Sequence, residues 1–164
     1  MKKRILILAD LGRLRAYLLE EPAEGGRPRI RLIEERETAV THHLVDDVTD
    51  QVGRFRKEPA IVGARSDGEE HNLNLQRRRQ ALKQLADVMI ELIHREEYDG
   101  CYFAADARIN QAILDELDPA ARAKIQKNVA ANLTKLGAEE LRDRFTEEGV
   151  TQEGERYAQI PRQA

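Results

Sequence analysis

Two short hydrophobic stretches, each ending in Ala-Asp, constrain the fold more than any other feature of this chain. The first is Ile5-Leu6-Ile7-Leu8-Ala9 before Asp10, and the second is Cys101-Tyr102-Phe103-Ala104-Ala105 before Asp106. Neither run alternates and both are brief, which is the pattern of a strand covered on both faces. Between them lies the longest segment with helical spacing. Leu75, Leu82, Leu85, Ala86, Met89, Leu92 and Ile93 recur at intervals of three and four, predicting one stripe laid along a sheet. Ser66-Asp67-Gly68-Glu69 has the form of a capping box at the start of that helix, and Tyr98-Asp99-Gly100 closes it. A strand, a helix and a returning strand together imply a right-handed crossover between parallel neighbours.

The remaining elements follow from local signals. Residues 3–9 are placed at the sheet centre. Residues 13–20 put Leu14, Ala16 and Leu18 on one side, a half-buried strand, and the turn formers between Glu21 and Pro28 lead to a third strand with Ile30 and Leu32 on one face. Asp106 is suited to cap a helix carrying Ile109, Ile113, Leu114 and Leu117, and Asp118-Pro119 restarts the chain with cap and first-turn proline in the favoured order. A last strand is expected over 127–134, from the alternation of Val129, Ala131 and Leu133, and a short helix over 137–145. The expected organisation is one α/β domain over residues 1–146, with a long irregular connection at 38–66 and a polar tail at 147–164.

Composition narrows the function. With 27 Lys+Arg against 30 Asp+Glu the chain is slightly acidic, so nucleic acid or anionic membrane would have to be bound by a local basic patch. Aromatics make up 4% and Trp is absent, a poor basis for stacking nucleotide bases. Cys101 is the sole cysteine, so no internal disulfide forms, and with no Lys, Arg or His beside it in sequence it reads as a buried strand thiol. The run after Met1-Lys2-Lys3-Arg4 is too brief for a signal peptide and no segment reaches the length of a spanning helix, so a cytoplasmic protein is expected, with no membrane partner.

No nucleophile, base and orienting group stand in a recognisable set, and no cofactor motif is present. Asp10 and Asp106 each follow a strand whose carboxyl end is where open α/β sheets house ligands. Two carboxylates meeting there offer part of a divalent-metal site, yet a turn and a helix cap explain the same residues more simply, and no metal is assigned. His42-His43 with Asp46-Asp47 matches no zinc spacing. His94 is explained by the dipole at its helix end. Arg77-Arg78-Arg79, with Arg54, Lys57 and Arg65, gather positive charge around the first turns of the long helix, where the dipole itself favours anions. Phosphate of RNA is the candidate ligand, against which stand Glu69, Glu70 and the ordinary solvation of a charged helix face.

Several pieces together resemble a known family. They are Ile7-Leu8-Ala9-Asp10; Arg13, Arg15 and Tyr17; Asp50-Gln51-Val52-Gly53-Arg54-Phe55; Glu70-His71; Tyr102-Phe103-Ala104-Ala105; and Asn132-Leu133-Thr134 ahead of Glu139-Glu140-Leu141-Arg142. In order and spacing, over roughly residues 4–145, the chain resembles the bacterial host attachment proteins, described as required for attachment to host cells. That family in turn looks like the middle domain of archaeal and eukaryotic class 1 peptide-chain release factors, a ribonuclease H-like domain in which a loop before a long helix carries Gly-Gly-Gln. The resemblance implies an α/β fold with a mixed sheet of about five strands flanked by helices. It also points to the loop before the long helix, which in the release factors reaches the ribosomal peptidyl-transferase centre. No Gly-Gly-Gln occurs here, and Asn132 stands where the family usually has Asp, so hydrolysis by the release-factor device does not carry over.

Two functional classes follow. The favoured one is a non-enzymatic intracellular interaction module that contacts ribosome or tRNA through residues 50–79. The alternative is a hydrolase acting on peptidyl-tRNA or RNA by another device. Candidate contact residues are Asp10, Asp50, Arg54, His71, Arg78, Asp106 and Asn132. The oligomeric state stays open, a homo-oligomer included.

Overall fold

The computed structural model describes residues 1–40, 67–95 and 97–146. Strands β1 (Lys2–Ala9), β2 (Arg13–Glu21) and β3 (Arg29–Glu37) are followed by helix α1 (Asp67–Ile93), strand β4 (Gly100–Ala105), helices α2 (Ala107–Glu116) and α3 (Pro119–Lys124), strand β5 (Ile125–Val129) and helix α4 (Ala138–Phe145). Most of the connection expected at 38–66, and the whole tail expected at 147–164, lie outside the described residues.

The five strands form one mixed sheet in the order β3-β2-β1-β4-β5. The β1–β2 and β2–β3 pairs are antiparallel, while β1–β4 and β4–β5 are parallel. This is the sheet expected from the two Ala-Asp stretches, with β1 at its centre, and the strand order is compatible with a ribonuclease H-like arrangement.

The lack of alternation in β1 has a direct cause. Ile5, Ile7 and Ala9 pack on one face with Leu85, Ala86, Met89, Leu92 and Ile93 of α1 and Ile109 and Ile113 of α2. Leu6 and Leu8 pack on the other with Tyr17, Leu19, Tyr102 and the α4 residues Leu141 and Phe145. Helices thus cover both faces, and every residue must be apolar. The same cover corrects β2, expected to be half-buried: Ala16, Tyr17, Leu18 and Leu19 are all buried because α4 lies over the second face. Tyr102 stacks on Phe145 at 5.9 Å between ring centroids. Arg4, buried at the far end of β1, pairs with Glu21, lies 5.3 Å from the Tyr102 ring centroid and donates through Nε to Gln126 Oε1 at 3.1 Å.

Two further expectations are corrected. The last strand runs Ile125–Val129, not 127–134, because α3 ends at Lys124 and its cap residue enters the strand directly. Beyond Val129 the chain turns, held by Asn132 Oδ1, which accepts from the Thr134 backbone N–H at 3.1 Å. Leu133 is buried beneath α4 as a turn residue, which mimics the alternation of a strand. In α1 the apolar stripe does not lie wholly on the sheet. Leu75 is 41% exposed and continuous burial begins only at Ala81. A helix of 27 residues is about 40 Å long, whereas the sheet beneath it is about 20 Å deep along β4, so the sheet cannot underlie the amino-terminal half of α1.

No helix among the described residues is long and apolar enough to cross a membrane.

Candidate functional site at the carboxyl edge of the sheet

Ala9 and Ala105 are partners in the parallel β1–β4 pair, so Asp10 and Asp106 leave adjacent strands at the same edge. Each is held by its own neighbourhood. Asp10 Oδ1 accepts from the backbone N–H of Gly12 and of Arg13, both at 2.8 Å, closing the tight turn into β2. Its Oδ2 accepts from the Thr134 hydroxyl at 3.2 Å. Asp106 is the cap of α2, accepting from the Arg108 N–H at 2.9 Å, and its carboxylate lies 3.4 Å from the Arg108 guanidinium.

The turn after β5 brings Asn132 and Thr134 to Asp10. The Thr134 hydroxyl lies 2.6 Å from Asn132 Oδ1, and Arg15 donates to the Thr134 carbonyl at 3.0 Å. Arg15 also faces Glu35, its register partner on β3, at 3.4 Å. A second polar cluster closes the edge at β5. Asn110 and Asn128 exchange amide hydrogen bonds at 2.8 Å, and Asn110 also donates to the Val129 carbonyl at 3.2 Å. These bonds pin α2 against the ends of β4 and β5.

Because β4 runs parallel to β1 and follows α1, the amino-terminal half of α1 extends past this same edge. Arg78 donates to the Arg108 carbonyl at 3.0 Å, which fixes the helix beside the start of α2. Residues 71–80 are exposed except for half-buried Arg77. Of the expected contact residues, Asp10, Arg78, Asp106 and Asn132 therefore gather at one edge. His71 stands about 10 Å farther along α1, exposed. Asp50 and Arg54 lie outside the described residues, as do His42, His43, Asp46, Asp47, Lys57 and Arg65.

Among the described residues no group of three or more His, Cys, Asp or Glu side chains is placed to hold a metal ion. Arg15 and Thr134 join the cluster although they were not among the expected site residues. Both occur in the pieces that carry the family resemblance, where their polarity at positions flanking apolar residues was the available signal. Asn110 and Asn128 gave none, since an amide pair needs two elements whose approach only the fold determines.

A model of the family described as "Protein required for attachment to host cells" matches residues 5–145. The chain belongs to this family. No curated protein matches it. Among solved structures, the crystal structure of archaeal translation termination factor aRF1 is similar over 95% of this chain and 38% of that one, at 11% identity and a TM-score of 0.40. The chain thus corresponds to well under half of that factor's length, and its fold is defined by its own strand order. In this chain the Gly25-Gly26 pair serves the β2–β3 turn, where Gly25 takes a positive φ of 53°.

Proposed function

We propose that this member of the family is a non-enzymatic intracellular interaction module, and that the exposed half of α1 contacts the phosphate backbone of ribosomal RNA or tRNA. The carrying observation is the projection of residues 71–80 past the sheet, with the side chains of Arg77 and Arg79 free of ion pairs among the described residues. In a chain of net charge −3, Arg4, Arg13, Arg15, Arg36, Arg95, Arg108, Arg122 and Arg142 are all paired with carboxylates. Guanidinium groups without a carboxylate partner on a projecting helix suit an external anion, and the planar fork matches phosphate. The carboxylates of the edge cluster, by contrast, hold a turn and a helix cap, which supports a binding role over a catalytic one.

The test is sedimentation of the purified chain with ribosomes across a salt series. Binding at low salt and release at high salt are expected, because phosphate contacts give up affinity as counterions are restored. Arg77→Gln/Arg79→Gln should weaken binding at every salt concentration and lower the magnitude of the logarithmic salt slope by about two, one for each lost contact. Absence of sedimentation at low salt, or a slope unchanged in the double variant, would overturn the reading. Release of amino acid from charged tRNA by the pure protein would instead place it among hydrolases.

A further inference from the structure

We propose that the free edge of β3 binds an extended acidic and aliphatic peptide segment of a partner protein by adding it as a sixth strand. The surface lies at the opposite end of the molecule from the projecting half of α1 and does not depend on the RNA reading. β3 is the outermost strand of the sheet, so its outer backbone groups meet no other strand among the described residues. A groove of about 970 Å³ runs there between the β2–β3 turn and α4. Its wall includes three consecutive residues, Arg29, Ile30 and Arg31, together with Pro28 and Ala138. Side chains of consecutive strand residues point to opposite faces, so a groove that meets all three reaches the β3 strand itself, while Met1 and Glu20 extend it to the adjoining ends of β1 and β2.

The pattern along that edge defines the ligand. Ile30 and Leu32 are register partners of Leu19 and Tyr17, which pack under α4, so both belong to the α4 face. Leu32 is 48% exposed, a large apolar side chain on a strand with an open flank. Arg29 and Arg31 occupy the opposite face, are exposed, and have no ion pair among the described residues. An added strand would set carboxylates at alternate positions beside the two arginines and aliphatic groups at the intervening positions beside Ile30 and Leu32. Main-chain hydrogen bonds would supply affinity and the alternation would supply specificity. Glu20, the register partner of Arg29, and Glu139 also line the groove, so Arg31, whose register partner is Leu18, is the arginine that a carboxylate of the added strand meets without an acidic neighbour opposite.

Other occupants fit less well. No aromatic ring lines the groove, so a nucleic acid strand would gain its phosphate contacts but leave its bases without a stacking surface. A second copy of β3 in antiparallel pairing would bring Arg31 opposite Glu35 in sequence. The register shift opposite Ala16 and Tyr17 leaves Ile33 as an extra residue, which turns Glu35 to the other face, toward Arg15. In that register self-pairing loses its ion pairs, and Glu34, which the shift puts on the arginine face, is already engaged by Arg36 and Arg95.

The experiment follows the amide spectrum of the ¹⁵N-labelled full chain during titration with an end-blocked hexapeptide alternating Glu and Val. Saturable shifts are expected at residues 29–32 and at Ala138, Glu139 and Arg142. Arg29→Gln/Arg31→Gln should weaken the peptide about tenfold, and so should a block isomer with its three Glu before its three Val. The variant substitutes exposed edge residues, and its unchanged spectrum elsewhere would show that it remains folded. The proposal fails if the amides of 29–32 do not move at millimolar peptide or if the block isomer binds as well as the alternating one. It fails equally if oligouridylate moves the same amides and the peptide does not, or if the free chain is already a dimer through these residues.

Discussion

At the scale of single residues, the carboxyl edge shows how polar groups near a sheet end can be used up by structure. Asp10 accepts two backbone N–H groups and one hydroxyl, and Asp106 caps α2, so each carboxylate has a structural task. Cys101 gives the complementary case of a reactive type made inert. It is 1% exposed on β4, and burial, which disfavours the thiolate, pushes its pKa up to about 12. A disulfide reagent at mildly alkaline pH should therefore release almost no chromophore from the native protein and one equivalent after denaturation with urea. Rapid stoichiometric reaction of the folded chain would contradict the strand placement. The absence of a basic neighbour in sequence already indicated this, whereas the bonds made by Thr134 and Arg15 required two distant turns to be brought together.

At the scale of elements, α1 is two helices in one. Residues 81–93 bury Ala81, Leu85, Ala86, Met89, Leu92 and Ile93, while Leu73 and Leu75 stand 49% and 41% exposed in the projecting half. The two halves should answer differently to substitution. Met89→Ala leaves a cavity between α1 and the sheet and should cost about 2–5 kcal/mol of unfolding free energy. Leu75→Glu alters a side chain outside the core clusters and should stay within about 0.5 kcal/mol of the wild type. Urea titration of both variants measures the contrast, and equal losses would mean that the projecting half is packed. Periodicity alone could not reveal the difference, because Leu75 keeps the spacing of the stripe. What ends the burial is the length of β4, a property of another element. The same kind of error extended the last expected strand through Leu133, whose burial comes from α4 above a turn.

For the molecule as a whole, the two apolar Ala-Asp stretches and the spacing of α1 were enough to specify a mixed sheet with β1 in the middle, since only two-sided cover explains runs without alternation. The caps at Asp106 and Asp118 were legible for the same reason: they rest on local chemistry. The edge cluster and the β3 groove were not, because each depends on which strands become neighbours. That neighbour relation also brings two carboxylates with lowered pKa to the carboxyl-terminal end of α1. There Arg95 reaches Glu34 of β3 at 3.1 Å, and His94 reaches Asp118, the α3 cap, at 3.0 Å. Glu34 is held below its ordinary 4.5 by the hydrogen bond from Arg36 and by the charges of Arg36 and Arg95. Asp118 is held below 3.8 by the Ala121 N–H and then by His94. For a carboxyl lowered in the folded state, the unfolded chain binds the proton first, so the stabilising contribution is complete above the ordinary pKa and disappears as pH falls through the lowered one. Between pH 7 and pH 5 these two groups should leave stability unchanged, and below about pH 4.5 they should steepen its decline. Glu34→Gln and Asp118→Asn, each compared with wild type by urea unfolding at pH 7 and at pH 3, should narrow the difference between the two conditions. A difference as large in both variants as in wild type would show that acid acts elsewhere, and that the anchoring of α1 to β3 and α3 does not set the lower pH limit of the fold.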